Sequence, residues 1–145
     1  MSIWKKLTAG QRWVVVLTGL TLALSAANVG RALVALQYAS SLPDLSLTVP
    51  LGYFAAMGGF WALAFAACSL GLLRFRNWGR WSTLAAVTMY QANAWINHLL
   101  FDASDYARRV VPRNLALTAL LLLAFWGSLN LPAVRRVFEN TREQD

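Results

Sequence analysis

The stretch WSTLAAVTMYQANAWINHLLF, residues 81 to 101, decides the fold of this chain. It carries no formal charge and has about the 20 residues that a helix needs to cross a bilayer. Its hydrogen-bonding side chains include Tyr90, Gln91, Asn93, Asn97 and His98, which hydrocarbon cannot satisfy. The segment is therefore predicted to be a transmembrane helix whose polar side chains face protein or water.

The composition of the whole chain supports a membrane protein. Of its 145 residues, 58% are hydrophobic and 13% are charged, whereas a soluble domain has roughly 25% charged residues. The net charge of +7 resides in short clusters between apolar runs, a pattern typical of membrane topology rather than of nucleic-acid binding. We expect the lipid bilayer, and no nucleic acid, as a partner.

Four apolar runs predict an all-α fold, a four-helix transmembrane bundle that forms a single integral membrane domain over residues 1–145. The run after Lys5, Lys6 and Arg12 is longer than the apolar part of a signal peptide, so it is interpreted as a retained first span. The predicted spans are about 13–38, 50–73, 81–101 and 112–131, followed by a tail, 133–145, that is either a short solvated helix or disordered.

Small and proline residues predict how these spans pack and where they begin. Pro50 and Pro112 are expected to open the second and fourth spans, with a polar loop over 102–111. Seven-residue spacing predicts a face of span two that lacks large side chains and packs tightly, within the chain or against a partner, with packing within the chain preferred; its members are Gly52, Gly59 and Ala66. Small and weakly polar residues of span one predict a face toward the bundle; they are Thr18, Thr21, Ser25, Asn28, Ala32 and Ala35.

Lysine and arginine counts predict the orientation. The N-terminal segment, the 74–80 connection and the tail each carry three, while the first outer loop carries none. The 102–113 segment also carries three, partly balanced by Asp102 and Asp105. This distribution favours both termini in the cytoplasm, with the protein as a multi-pass component of the inner (plasma) membrane.

Paired landmarks suggest an internal repeat. Arg12-Trp13 and Arg80-Trp81 begin spans one and three, and Val49-Pro50 and Val111-Pro112 begin spans two and four. They are consistent with two parallel helical-hairpin repeats, an arrangement found among transporters. Tryptophan-flanked basic ends occur in other four-helix membrane proteins as well, so a chain without an internal repeat would also show these landmarks.

A candidate ligand-binding cluster is predicted in the outer half of the bundle. Two interpretations stay open: side chains that hold helices together, or a pocket in which Arg31 binds an anionic group and His98 binds or relays a proton. Arg31 is alternatively a snorkelling anchor at the membrane surface. The residues of the cluster are Asn28, Arg31, Tyr53, Gln91, Asn93, Asn97, His98 and Asn114.

Catalysis has no support in the sequence. There is one histidine and one cysteine, no local catalytic grouping and no acidic residue inside a span, so we expect no catalytic residues, no metal and no cofactor. The leading hypothesis is a structural or accessory membrane protein that associates with itself or with a larger membrane complex. The alternative is a small transporter or ligand-binding membrane protein that uses the outer polar pocket.

The run RFRNWGRWSTLAAVTMYQANAWINHLLFDASDYARR, residues 74–109, with the proline-started helix after it, carries a family resemblance. It resembles small uncharacterised bacterial four-helix integral membrane proteins with an arginine- and tryptophan-rich inner loop. The resemblance covers about residues 70–113 and implies a bacterial inner-membrane location. It implies no catalytic residues.

Overall fold

The protein is all-helical over the residues that its computed structural model describes, 7–41, 51–101 and 105–140. The helices are α1 (Ala9–Ser41), α2 (Leu51–Leu73), α3 (Asn77–Phe101), α4 (Asp105–Asn130) and α5 (Pro132–Asn140). The all-α prediction is confirmed, but the described residues form five helices rather than four. The expected opening of span two at Pro50 lies outside the described residues.

Helices α1 and α2 form the most extensive helix pair, and the predicted face of α1 makes the contact. Thr18, Thr21 and Asn28 are almost fully buried. The hydroxyls of Thr21 and Ser69 are 2.7 Å apart, and Ser25 Oγ donates to the carbonyl of Ala62 at 2.7 Å. Hydroxyls and small side chains that allow close approach are the usual means of joining helices where hydrocarbon surrounds them.

The glycine face predicted on α2 is wrong in its register. A Cβ built on Gly52 or Gly59 would meet nothing within 4 Å, whereas one on Gly58 would lie 3.0 Å from Ala32 of α1. The helix is apolar on almost every face, so its sequence could not show which glycine row turns inward. Gly58 makes the close contact with α1, and the row of Gly52 and Gly59 is open.

A three-residue turn reverses the chain between α2 and α3. Phe75 adopts a left-handed φ of 51°, and α3 begins at Asn77, four residues before the predicted start. Gly71 and Gly79 then touch backbone to backbone, since a Cβ on Gly79 would lie 2.3 Å from the carbonyl carbon of Gly71. The basic segment therefore contributes the first turn of α3 instead of remaining a loop.

Helix α4 begins earlier than its proline suggested. It begins at Asp105, and Pro112 lies inside it, so the expected polar loop is helical from residue 105 onward. Pro112 is the eighth residue of α4, so it removes one backbone hydrogen bond, the one that its amide would donate to the carbonyl four residues earlier, and the helix continues on both sides of it. The helix ends at Asn130, just before Pro132, as predicted.

The tail contains a packed helix, which corrects the solvated or disordered interpretation. In α5, Val134 and Phe138 are buried in the same apolar core as Val14 and Leu17 of α1. Gly10 of α1 lies against Ala133, where a Cβ would meet the carbonyl oxygen at 2.2 Å. The core therefore lies toward the end of the bundle where α1 begins and α5 packs, which leaves the opposite end less tightly packed.

Among the residues that the structure describes, three helices are long and apolar enough to cross a membrane. They are Ala9–Ser41, Leu51–Leu73 and, within α4, Arg109–Asn130. Helix α3 is not among them, because its polar residues lower its mean hydropathy. Almost none of the apolar stretch of α4 is buried, and its exposed side chains include Leu117, Leu120 and Leu123.

Candidate ligand-binding cavity

A cavity of about 290 Å³ lies at the less tightly packed end of the bundle. Seven of the eight residues predicted from the sequence line it; they are Asn28, Arg31, Tyr53, Asn93, Asn97, His98 and Asn114. They come from all four long helices. The eighth, Gln91, lines an adjoining cavity of about 230 Å³ between α3 and α4. The structure thus brings the predicted residues together in one region, while binding by them stays a prediction.

Tyr90 connects the wall of the larger cavity to the core. Its ring packs edge-on against both Trp61 and Phe65, with centroids 5.3 Å apart in each case. Its hydroxyl accepts a hydrogen bond from Nη1 of Arg31 at 3.2 Å. Packing limits the movement of the ring, so the guanidinium group of an otherwise exposed arginine is directed toward the cavity that it lines.

A chain of amide hydrogen bonds runs along α3 and joins it to α2. The Tyr53 hydroxyl donates to Oδ1 of Asn97 at 3.0 Å, and Nδ2 of Asn97 donates to Oδ1 of Asn93 at 3.2 Å. Interhelical bonds of this kind are worth about 0.6 kcal/mol each in a membrane. Both amide ends of Asn97 are therefore engaged, while the amide nitrogen of Asn93 ends the chain as a donor.

The second polar face of α3 turns toward α4. Trp95 Nε1 donates to the Thr118 hydroxyl at 3.1 Å, and that hydroxyl donates to Oε1 of Gln91 at 3.2 Å. The ring of Trp95 also packs edge-on against His98, with centroids 5.6 Å apart. These polar groups largely satisfy one another, so the smaller cavity offers mainly apolar surface, including Leu117 and Leu121.

Besides Tyr90, the sequence-based prediction of the site missed Trp61. It lines the larger cavity, is 7% exposed, and its buried Nε1 has no hydrogen-bond partner among the described residues. Leaving a buried donor unpaired costs about 1–3 kcal/mol. A sequence signal existed, because Trp61 lies about 15 Å along the helix from Leu51, whereas membrane tryptophans concentrate near the interfaces.

Most of the polar side chains that line the larger cavity are hydrogen-bonding amides and hydroxyls. Among the described side chains, the larger cavity is lined by one guanidinium, several amides and hydroxyls, one imidazole and no carboxylate. Within the same part of the chain, no three His, Cys, Asp or Glu side chains lie close enough to hold a metal ion. The arrangement is suited to binding polar groups by donated hydrogen bonds.

Comparison with protein-family models, with curated proteins and with solved structures finds no match for this chain. The resemblance noted for residues 70–113 therefore stays a prediction about location. The geometry of the cavity is the basis for the function proposed below.

Proposed function

We propose that the protein is a four-span integral membrane protein in which α3 is the remaining span. The support comes from its contacts with α2, which is apolar enough to cross a bilayer. Gly79 touches Gly71 near one end of α2, and Asn97 bonds Tyr53 near the other. Gly79 and Asn97 are separated by about 27 Å of helix, close to a hydrocarbon thickness of about 30 Å.

The proposed orientation has both termini in the cytoplasm and the two cavities in the outer half of a bacterial inner membrane. An even number of spans brings the two ends of the chain to one side. The short turn with Arg74 and Arg76 then lies on that same side, in agreement with the positive-inside rule. The two parallel hairpin repeats remain part of this proposal. The packing gives the repeats less support than it gives the four spans, because α3 and α4 contact each other far less than α1 and α2 do.

The function that the geometry supports best is ligand binding, as in a small transporter or a membrane receptor for a small molecule. The observation that carries it is the 290 Å³ cavity, to which four helices contribute polar side chains. Interhelical hydrogen bonds alone do not require such a space, because helices held by polar side chains usually approach closely. A preformed cavity with a few polar groups is typical of a small-molecule site.

Native mass spectrometry of the protein released from its host membrane in a mild neutral detergent tests this function. Ala94 lines both cavities, so Ala94→Trp should fill them and remove a bound small molecule that the unmodified protein retains. Ala92→Trp adds the same side chain to an exposed position of α3 outside both cavities and should leave that molecule bound. Identical spectra for all three proteins would contradict the proposal.

A second candidate is the accessory role, in which two copies associate. The observation in its favour is the open face of α2, where Gly52 and Gly59 have no neighbour within 4 Å and Leu63 is 74% exposed. Close helix approach at such a row stabilises membrane dimers. The same spectra test this association. A dimer mass that is lost in Gly59→Leu and kept in the control Gly19→Leu would support it. A monomer mass in every spectrum would contradict it.

A further inference from the structure

We propose that the larger cavity binds the anionic head, carboxylate or phosphate, of an amphiphile whose hydrocarbon chain occupies the adjoining smaller cavity. This inference rests on the proposed ligand-binding function and specifies the class of ligand. It depends on the balance of hydrogen-bond donors and acceptors in one cavity, on its charge, and on the character of the neighbouring cavity.

Four donors with no acceptor for at least one of their protons line the larger cavity. Arg31 donates one bond, to Tyr90, and keeps its other N–H groups. The proton of the Tyr90 hydroxyl, the Nδ2 group of Asn93 and the buried Nε1 of Trp61 have no acceptor among the described residues. Donors from three helices around one space suit a group that only accepts hydrogen bonds, and ionised oxygens form the strongest bonds of this type.

The charge of the larger cavity also favours an anionic ligand. Arg31 is the cation of its lining, and no carboxylate among the described side chains lies there to neutralise it. Two amide acceptors oppose this trend: Oδ1 of Asn28, whose Nδ2 donates to the carbonyl of Leu24, and Oδ1 of Asn114. These neutral acceptors do not offset a guanidinium, so an anion is favoured over a cationic ligand.

The smaller cavity provides a place for a hydrocarbon chain. It meets the larger one at Ala94, His98 and Asn114, which line both. The Trp95 and Thr118 donors are used internally, through the Trp95–Thr118–Gln91 bonds, and Ala94, Leu117 and Leu121 supply its apolar wall. Because α4 is scarcely covered by protein, a chain can enter sideways from the bilayer, which favours a lipid over a water-soluble anion.

The test uses the full chain in phosphatidylcholine nanodiscs and four probes: hexadecanoate, its methyl ester, hexadecylamine and acetate. The three long-chain probes differ mainly in the charge of the head. Above the pKa of the fatty acid, hexadecanoate should bind and raise the unfolding temperature, and the ester and amine should do neither. Acetate should bind about a hundredfold more weakly or worse, because it lacks the hydrocarbon chain. Burial of that chain contributes about 0.8 kcal/mol of binding free energy per CH₂.

Two matched pairs of variants assign the effect to the cavity. Arg31→Gln should weaken hexadecanoate binding about tenfold or more, and Arg109→Gln, an equal charge change on the exposed start of α4, should not. Trp61→Phe should weaken it severalfold, whereas Trp126→Phe, whose Nε1 already bonds Thr88, should leave it unchanged.

The outcomes separate this inference from the proposed function. Equal binding of hexadecylamine or the methyl ester, abolished by Ala94→Trp, would overturn the anionic head and retain the cavity as a binding site. Acetate binding as tightly as hexadecanoate would overturn the hydrocarbon chain. Hexadecanoate binding that Ala94→Trp leaves intact would overturn both the inference and the site.

Discussion

At the scale of single residues, glycines fix the closest approaches between helices. Gly10 meets α5, Gly58 meets α1, and Gly71 meets Gly79 across the α2–α3 turn. Each is a point where a methyl group would displace backbone or side-chain atoms. Gly19 of α1, by contrast, has open space around it, although it also lies inside a helix. The difference between these glycines is tertiary, so their intrinsic helix propensity does not reveal it.

Gly79→Ala should destabilise the protein by about 1–3 kcal/mol, because its new methyl group overlaps the backbone of Gly71 and neither helix end can move freely. Gly19→Ala should be neutral or stabilising by about 0.5–1 kcal/mol, since alanine is the better helix former. Unfolding by sodium dodecyl sulfate in mixed micelles measures both values. Equal effects of the two substitutions would contradict the close Gly71–Gly79 contact.

At the scale of helices, the ends of α3 and α4 are joined to the packed core. Arg80 donates from Nε to the carbonyl of Leu129 at 3.0 Å and from Nη2 to Oδ1 of Asn130 at 2.5 Å. A cation at the carboxyl end of a helix donates hydrogen bonds to carbonyls that have no intrahelical partner, and it interacts favourably with the helix dipole. Helix α5 then covers this end through Val134 and Phe138.

Phe138→Ala should lower the free energy of unfolding by about 3–5 kcal/mol, because the ring is 1% exposed and its loss leaves a cavity against α1. Glu139→Ala removes only an exposed ion pair with Arg135, 2.7 Å long, and should cost about 0.3–0.5 kcal/mol. The same micelle titration compares them. A Phe138→Ala protein as stable as the Glu139→Ala protein would show that α5 does not pack on the bundle.

The sequence was informative about helix faces where polar and apolar residues alternate. The inward face of α1 and the contact of the polar side chains of α3 with protein were predicted, because buried hydroxyls and amides need partners. It was uninformative where one residue class covers a whole helix, and the inward glycine row of α2 was therefore misplaced. The proline at 112 misled because a helix can continue past a proline at the cost of one hydrogen bond. The tail misled because packing, which no local pattern reports, docked α5.

At the scale of the whole molecule, one end of the bundle is a core and the other holds the cavities. The buried apolar residues cluster where α5 packs against α1, and the polar residues gather around the larger cavity toward the other end. The location of the cluster was predictable from helix register alone. The existence of two cavities was not, since volume depends on how far apart four helices lie rather than on any one of them.

The central claim is that α3 turns its amides toward a water-accessible cavity and its apolar side chains toward lipid. Labelling of single cysteines on a Cys68→Ala background tests it most directly, with a membrane-impermeant anionic methanethiosulfonate added outside spheroplasts. Asn93→Cys should react, because thiols ionise only where water reaches them. Ile96→Cys replaces a side chain that is 52% exposed and that we propose to face lipid, so it should stay unmodified. Reaction at position 96 with none at position 93 would contradict the account.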